Sequence, residues 1–217
     1  MTLNSPAIRQ PTKVVVVYYS ATGNVSQLAH ALGDAASTTG ADVRVRRVAE
    51  TAPEEAVASN PRWQEWLDSC TDEYATLDDL AWADAIAIGS PTRFGGPASQ
   101  LKAFLDTTGG LWFSGVLATK VGTSFTSSST QHGGLESTIL AMNNIFYHWG
   151  SMVMPLGYAH EHVARISGNP YGASFVSRKS APPDDDAITA ARVQGERLAI
   201  ITSDLMAGRH ARDNGDT

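Results

Sequence analysis

Cysteine occurs once in the chain, at Cys70. A single thiol excludes an internal disulfide framework and a Cys-rich zinc site, and it suits a reducing compartment. No apolar run approaches the ~18 residues that a membrane-spanning helix needs. Residues 1–12 contain no apolar core, so no signal peptide is expected there. Charge is sparse, at 18% of residues, with sixteen Lys and Arg against 22 Asp and Glu and a net charge of −6. An acidic chain without a basic stripe repels phosphate backbones, which excludes general nucleic-acid binding. A Walker-type Gly-Lys-Ser/Thr, a Gly-x-Gly-x-x-Gly turn and a Gly-x-Ser-x-Gly elbow are all missing. What is present is 217 residues, 42% of them apolar, enough for one domain with a sizeable core. The expectation is a single soluble, cytoplasmic domain over 13–207, between a flexible N-terminal arm (1–12) and a flexible C-terminal tail (208–217).

Val14 to Tyr19 is an unbroken β-forming run, as suits a strand buried on both faces. Asn24 to Ala36 carries Val25, Leu28, Ala29 and Leu32 at helical spacing. Ala41–Val48 alternates like a strand nearer the sheet edge. Glu54–Asp68 reads as one helix with Trp63, Trp66 and Leu67 on one side, and Asp78–Ala83 as a short second one. Ala85–Gly89 is a buried strand, followed by a Gly- and Pro-rich loop at 91–97 and a helix through Leu101, Phe104 and Leu105 that Gly109-Gly110 is expected to stop. A strand at Lys120–Thr126, a polar loop at Ser127–Gly134 and a helix at Leu135–His148 follow. Met152–Leu156 is the fifth strand, 157–183 a long irregular connection, and Asp184–Ala207 a closing helix with carboxylates at its positive end. Strands alternating with helices imply parallel βαβ crossovers. Five strands fit a doubly wound α/β sheet of order 2-1-3-4-5, the flavodoxin-like arrangement.

In such a sheet ligands bind beyond the carboxyl ends of the strands at the switch point, so three loops matter. Ser20-Ala21-Thr22-Gly23-Asn24-Val25 joins a buried strand to a helix N-terminus, which offers free N–H groups to a phosphate. It holds no Lys or Arg, so an anion there would be held by neutral donors. A simply capped turn is the plainer reading. In Pro91-Thr92-Arg93-Phe94-Gly95, Phe94 is placed to touch a flat ring and Arg93 to offset charge developing on it. A βα turn with a solvated arginine is the alternative. Ser127 through Gly134 holds no hydrophobe, which suits either the polar edge of a heterocycle or a mobile surface loop.

Other features argue less. His160-Glu161-His162 lacks a third metal partner and reads as a solvated turn. Cys70 has no nearby His and does not read as a catalytic thiol. Trp63 and Trp66 read as helix packing.

Taken together the loops have a family likeness. Val14–Tyr19 with Ser20–Val25 resembles the FMN phosphate loop of flavodoxin-like proteins. Pro91-Thr92-Arg93-Phe94-Gly95, Phe104-Leu105-Asp106 and Gly109-Gly110-Leu111-Trp112 resemble the WrbA-type NAD(P)H:quinone oxidoreductases, as do Pro155-Leu156-Gly157-Tyr158 and Pro170-Tyr171-Gly172-Ala173. The likeness spans roughly 13–207. It implies an FMN-dependent homotetramer that reduces quinones by two electrons at the expense of NADH or NADPH, in a ping-pong cycle with hydride transfer through flavin N5. By position, Ser20 to Val25 would hold the phosphate, and Pro91, Thr92, Arg93, Phe94 and Gly95 the isoalloxazine. Ser128, Ser129, Thr130, Gln131, His132, Gly133 and Gly134 would line its polar edge. His148 would sit against the cofactor as a candidate proton donor, with no catalytic side chain otherwise assigned, and Trp112 and Phe94 would shape the substrate slot. Two departures stand out: Thr22 where an aromatic is frequent, and a strand 4 loop one residue longer, with Gln131 and His132. A one-electron flavodoxin-like carrier and an NAD(P)H-dependent flavin or azo reductase are the rival readings.

Overall fold

The computed structural model describes residues 10–158, 160–178, 181–213 and 215. Most of the expected N-terminal arm, residues 1–9, lies outside them. The strands are β1 (Lys13–Tyr18), β2 (Asp42–Arg47), β3 (Ala85–Arg93), β4 (Gly96–Pro97), β5 (Val121–Ser128), β6 (Met152–Val153) and β7 (Ser174–Val176). The α-helices are α1 (Asn24–Thr38), α2 (Glu54–Ala58), α3 (Pro61–Ser69), α4 (Leu77–Trp82), α5 (Ser99–Asp106), α6 (Gly109–Phe113), α7 (Leu135–Trp149) and α8 (Asp185–Asp213).

The parallel path runs β2-β1-β3-β5-β6. With the two-residue β4 set aside this is the expected 2-1-3-4-5 order. The run at β1 explains why the sheet is covered on both sides. Val14, Val16 and Tyr18 face one core with α1 and α8, and Val15, Val17 and Tyr19 face the other with α5 and α7. The cover of the first core is close: a Cβ on Gly195 of α8 would lie 2.0 Å from the Leu32 carbonyl oxygen of α1. At the edge, Arg44 and Arg46 of β2 pair with the buried Asp79, whose carboxylate also closes a capping box with Thr76 at the start of α4.

Several boundaries differ from the sequence reading, each for a local reason. The expected helix at Glu54–Asp68 is two helices. Pro61 has no N–H to continue the first and instead opens the second at N1. Gly109-Gly110 does not stop α5. The Thr107 and Thr108 hydroxyls donate to the Phe104 and Leu105 carbonyls and end it at Asp106, and the glycines open α6. The fifth strand is split. β6 pairs only with Val121 and Gly122, the chain leaves at Met154, and β7 returns to pair with Thr126–Ser128. The 157–183 connection therefore contains a strand. The last helix, capped by Asp184 accepting from the Ala187 N–H at 2.9 Å, runs past Ala207 to Asp213, so much of the expected tail is helical. No helix among the described residues is long and apolar enough to cross a membrane.

Candidate active site

β1, β3 and β5 end side by side, and their ends enclose a cavity of about 280 Å³. Ser20, Ala21, Thr22, Asn24 and Val25 form one wall and Pro91, Thr92 and Arg93 another. Ser127, Ser128 and Ser129 line the end of β5, and Asn60, Trp63 and Ser177 complete the lining. Among the lining residues Arg93 is the one charged side chain.

The first loop is built as a cup. Gly23 lies in the left-handed region (φ 85°), and its N–H donates to Ser20 Oγ at 3.0 Å. The turn closes on itself and presents the first amides of α1, which a helix leaves without internal partners. The Trp66 indole packs beneath Gly23, and its Nε1 donates to the Ser20 carbonyl at 2.8 Å. The Asn24 amide donates to Ser177 Oγ at 2.8 Å, which ties the cup to the residue after β7.

The second and third loops are locked together. β3 extends through Arg93 and turns over Phe94-Gly95 into β4, so Pro91–Arg93 is strand rather than loop. The Thr92 hydroxyl is the hub: it donates to the Gly133 carbonyl (3.2 Å), accepts from the Gly95 N–H (3.2 Å), and lies 2.8 Å from the Thr138 hydroxyl. Gly134 touches Gly95 so closely that a Cβ there would meet the Gly95 Cα at 2.8 Å. Thr130, Gln131 and His132 are exposed at the tip, and with Gly133 and Gly134 they stand outside the cavity lining.

Phe94 is fully exposed and has φ 52°. A bulky residue in that region costs about 1–2 kcal/mol, so the tip holds an aromatic in spite of strain. Phe94→Asn, which suits that backbone region, is expected to raise Tm by about 3 °C, as thermal melts would show.

Behind the cavity lies a carboxylate hub. Glu50 accepts from Tyr19 Oη (2.7 Å), Trp63 Nε1 (3.0 Å), Gln100 Nε2 (2.6 Å) and the N–H groups of Thr51 (2.9 Å) and Ala52 (2.8 Å). Burial works to raise the Glu50 pKa, but the bonds from Tyr19, Ala52, Gln100 and Thr51 outweigh it and hold the carboxyl below its ordinary value. Burial and the Glu50 bond push the Tyr19 phenol well above its own, so it stays a donor.

His148 and Trp112 are not at this cavity. They meet each other, with Trp112 Nε1 donating to the His148 carbonyl at 2.9 Å. α7 starts beside the third loop and carries His148 about 20 Å along its axis to the amino ends of the strands. The expectation that His148 sits against the cofactor is therefore not met within one chain. Trp112, Phe113 and Tyr147 are exposed at that far end.

The sequence reading missed Asn60, Trp63, Ser177 and the Glu50 hub. Trp63 and Trp66 do pack against the cores, and helical spacing alone does not show that both also border the first loop. Ser177 carries no local signal, because β7 just before it is fixed by pairing with a distant strand rather than by its own pattern.

The donor set fits FMN: neutral hydroxyls and helix amides for a phosphate at Ser20–Val25, and a polar cleft for a heterocycle between β3 and β5. The comparisons agree. Residues 12–164 match the model of the NADPH-dependent FMN reductase family. The chain is 46% identical over 203 residues to a Rhizobium rhizogenes protein named NAD(P)H dehydrogenase (quinone), covering 90% of this chain and 99% of that one. A protein of the same name from Deinococcus radiodurans is 39% identical over 197 residues, covering 90% and 98%. The fold resembles the crystal structure of a flavodoxin, WrbA-like protein from Agrobacterium tumefaciens, with TM-score 0.62, 23% identity and coverage of 88% and 98%. With its cup, its cleft and these relatives, the chain belongs to the NADPH-dependent FMN reductase family.

Proposed function

We propose that the protein is an FMN-dependent NAD(P)H dehydrogenase that reduces quinones. NADH or NADPH and a proton are consumed with the quinone, and NAD(P)⁺ and hydroquinone leave. The observation that carries this reading is the single cavity joining a neutral phosphate cup at Ser20–Val25 to the ends of β3 and β5, in a chain whose relatives bear that enzyme name. Bound FMN supplies a ring able to take two electrons from a nicotinamide and give them to a quinone.

The protein's own part is placement. The α1 amides hold the phosphate, and the Thr92 hub fixes the turn after Arg93, which lines the cavity. Ser127 and Ser129 line the cavity at the end of β5, where hydroxyl donors would meet negative charge developing on the ring. No side chain of this chain is assigned as an acid. Trp112 and His148 lie too far away to serve their own cavity, and the exposed aromatics beside them mark an interface. A homotetramer in which they complete a neighbour's slot accounts for both facts. With one cysteine and a reducing cofactor, the cytoplasm is the compartment that fits.

Steady-state assays test the reading. Double-reciprocal plots of NAD(P)H against benzoquinone are expected to be parallel, and turnover to vanish from FMN-free protein. Negligible NAD(P)H oxidation would favour an electron carrier. Turnover with free flavins or azo dyes, but not with quinones, would favour the reductase alternative.

A further inference from the structure

Trp63 is brought to the cavity by the excursion between β2 and α4, whose Trp66 already supports the cup from beneath. Its indole shares the lining with Thr22, Asn60 and Arg93. Only its ring is available to a ligand, because its Nε1 is spent on Glu50 at 3.0 Å. Glu50 does not line the cavity. Its two oxygens accept five hydrogen bonds, and the donors come from four places in the chain: the end of β1, its own turn, α3 and α5. A carboxylate is the one side-chain group that answers donors on every side, since a carboxamide would turn an N–H₂ toward some of them. Charge-assisted bonds of this kind are short and strong, and they fix the groups they join.

We propose that Trp63 is an aromatic wall of the flavin site and that Glu50 is its positioning residue, setting the indole plane through Nε1. This rests on the FMN reading above. The flavin, rather than the dinucleotide, is assigned to the wall because Trp63 lines the same cleft as the phosphate cup and the β5 serines. Aromatic stacking has the range and flatness that a heterocycle seated there needs.

The test is FMN titration of the apoprotein, followed by flavin fluorescence and tryptophan quenching, with thermal melts as the control for folding. Trp63→Ala is expected to raise the FMN Kd about tenfold. Trp63→Phe keeps a ring, removes only the bond to Glu50, and leaves that carboxylate four donors. It is expected to raise Kd about threefold and to reduce the quenching with little change in Tm. Glu50→Gln is expected to weaken FMN in the wild-type background and to add nothing to Trp63→Ala, the signature of a residue acting through its partner. Three results overturn the proposal: Trp63→Ala with unchanged Kd, Glu50→Gln adding its full effect to Trp63→Ala, or a raised KM for NADH with FMN affinity intact. Should Glu50→Gln fail to fold, Trp63→Phe with wild-type Kd and quenching overturns it equally. Wild-type apoprotein that does not bind FMN would instead remove the flavin reading itself, so the two failures are distinguishable.

Discussion

FMN is expected to bind the apoprotein at least about 100-fold more tightly than riboflavin, since two or more charge-assisted hydrogen bonds to the phosphate are each worth about 1.5–3 kcal/mol. The donors are the first amides of α1, exposed by the left-handed turn at Gly23. No lysine or arginine lies in the loop, so helix dipole and hydrogen bonding carry the selection. Ser20→Ala removes the acceptor that holds the Gly23 N–H. It is expected to narrow the gap between the two flavins by weakening FMN alone. Fluorescence titration with both ligands measures this directly, and equal affinities would contradict the assignment of the cup.

Trp112→Ala is expected to lower quinone turnover about tenfold and leave the FMN Kd within about twofold. The reason is topological. Trp112 and His148 sit at the amino ends of the strands, on the far side of the sheet from the cavity of their own chain. In the homotetramer proposed above, their effect on turnover crosses a subunit boundary. Light scattering, FMN affinity and turnover on the same samples separate the two roles. A fully active monomer, or a Trp112→Ala variant with wild-type turnover, would refute the shared slot.

The parts legible in the sequence are those where one physical signal acts alone. Val14–Tyr19 announces a two-faced strand because both alternating sets of side chains are apolar, and each set reaches a different core. The cup at Ser20–Val25 is legible because a strand running directly into a helix has few geometries. The rest depends on contacts distant in sequence. The split fifth strand was hidden because β7 is three residues long and is fixed by pairing with Thr126–Ser128, not by its own pattern. Trp63 looked like packing because its second role depends on Glu50, thirteen residues away, and on Tyr19 and Gln100 beyond that. His148 lies away from its own chain's cavity because the length of α7, not the identity of the residue, decides which end of the sheet it reaches.

Double-mixing stopped flow tests the central claim most directly. FMN-loaded protein mixed with one equivalent of NADH or NADPH under anaerobic conditions is expected to lose its flavin absorbance completely. A second mixing with one equivalent of benzoquinone is expected to restore it, in a single phase, fast enough to account for steady-state turnover. Bleaching that quinone does not reverse, or no bleaching by either nicotinamide, would contradict a two-electron quinone reductase.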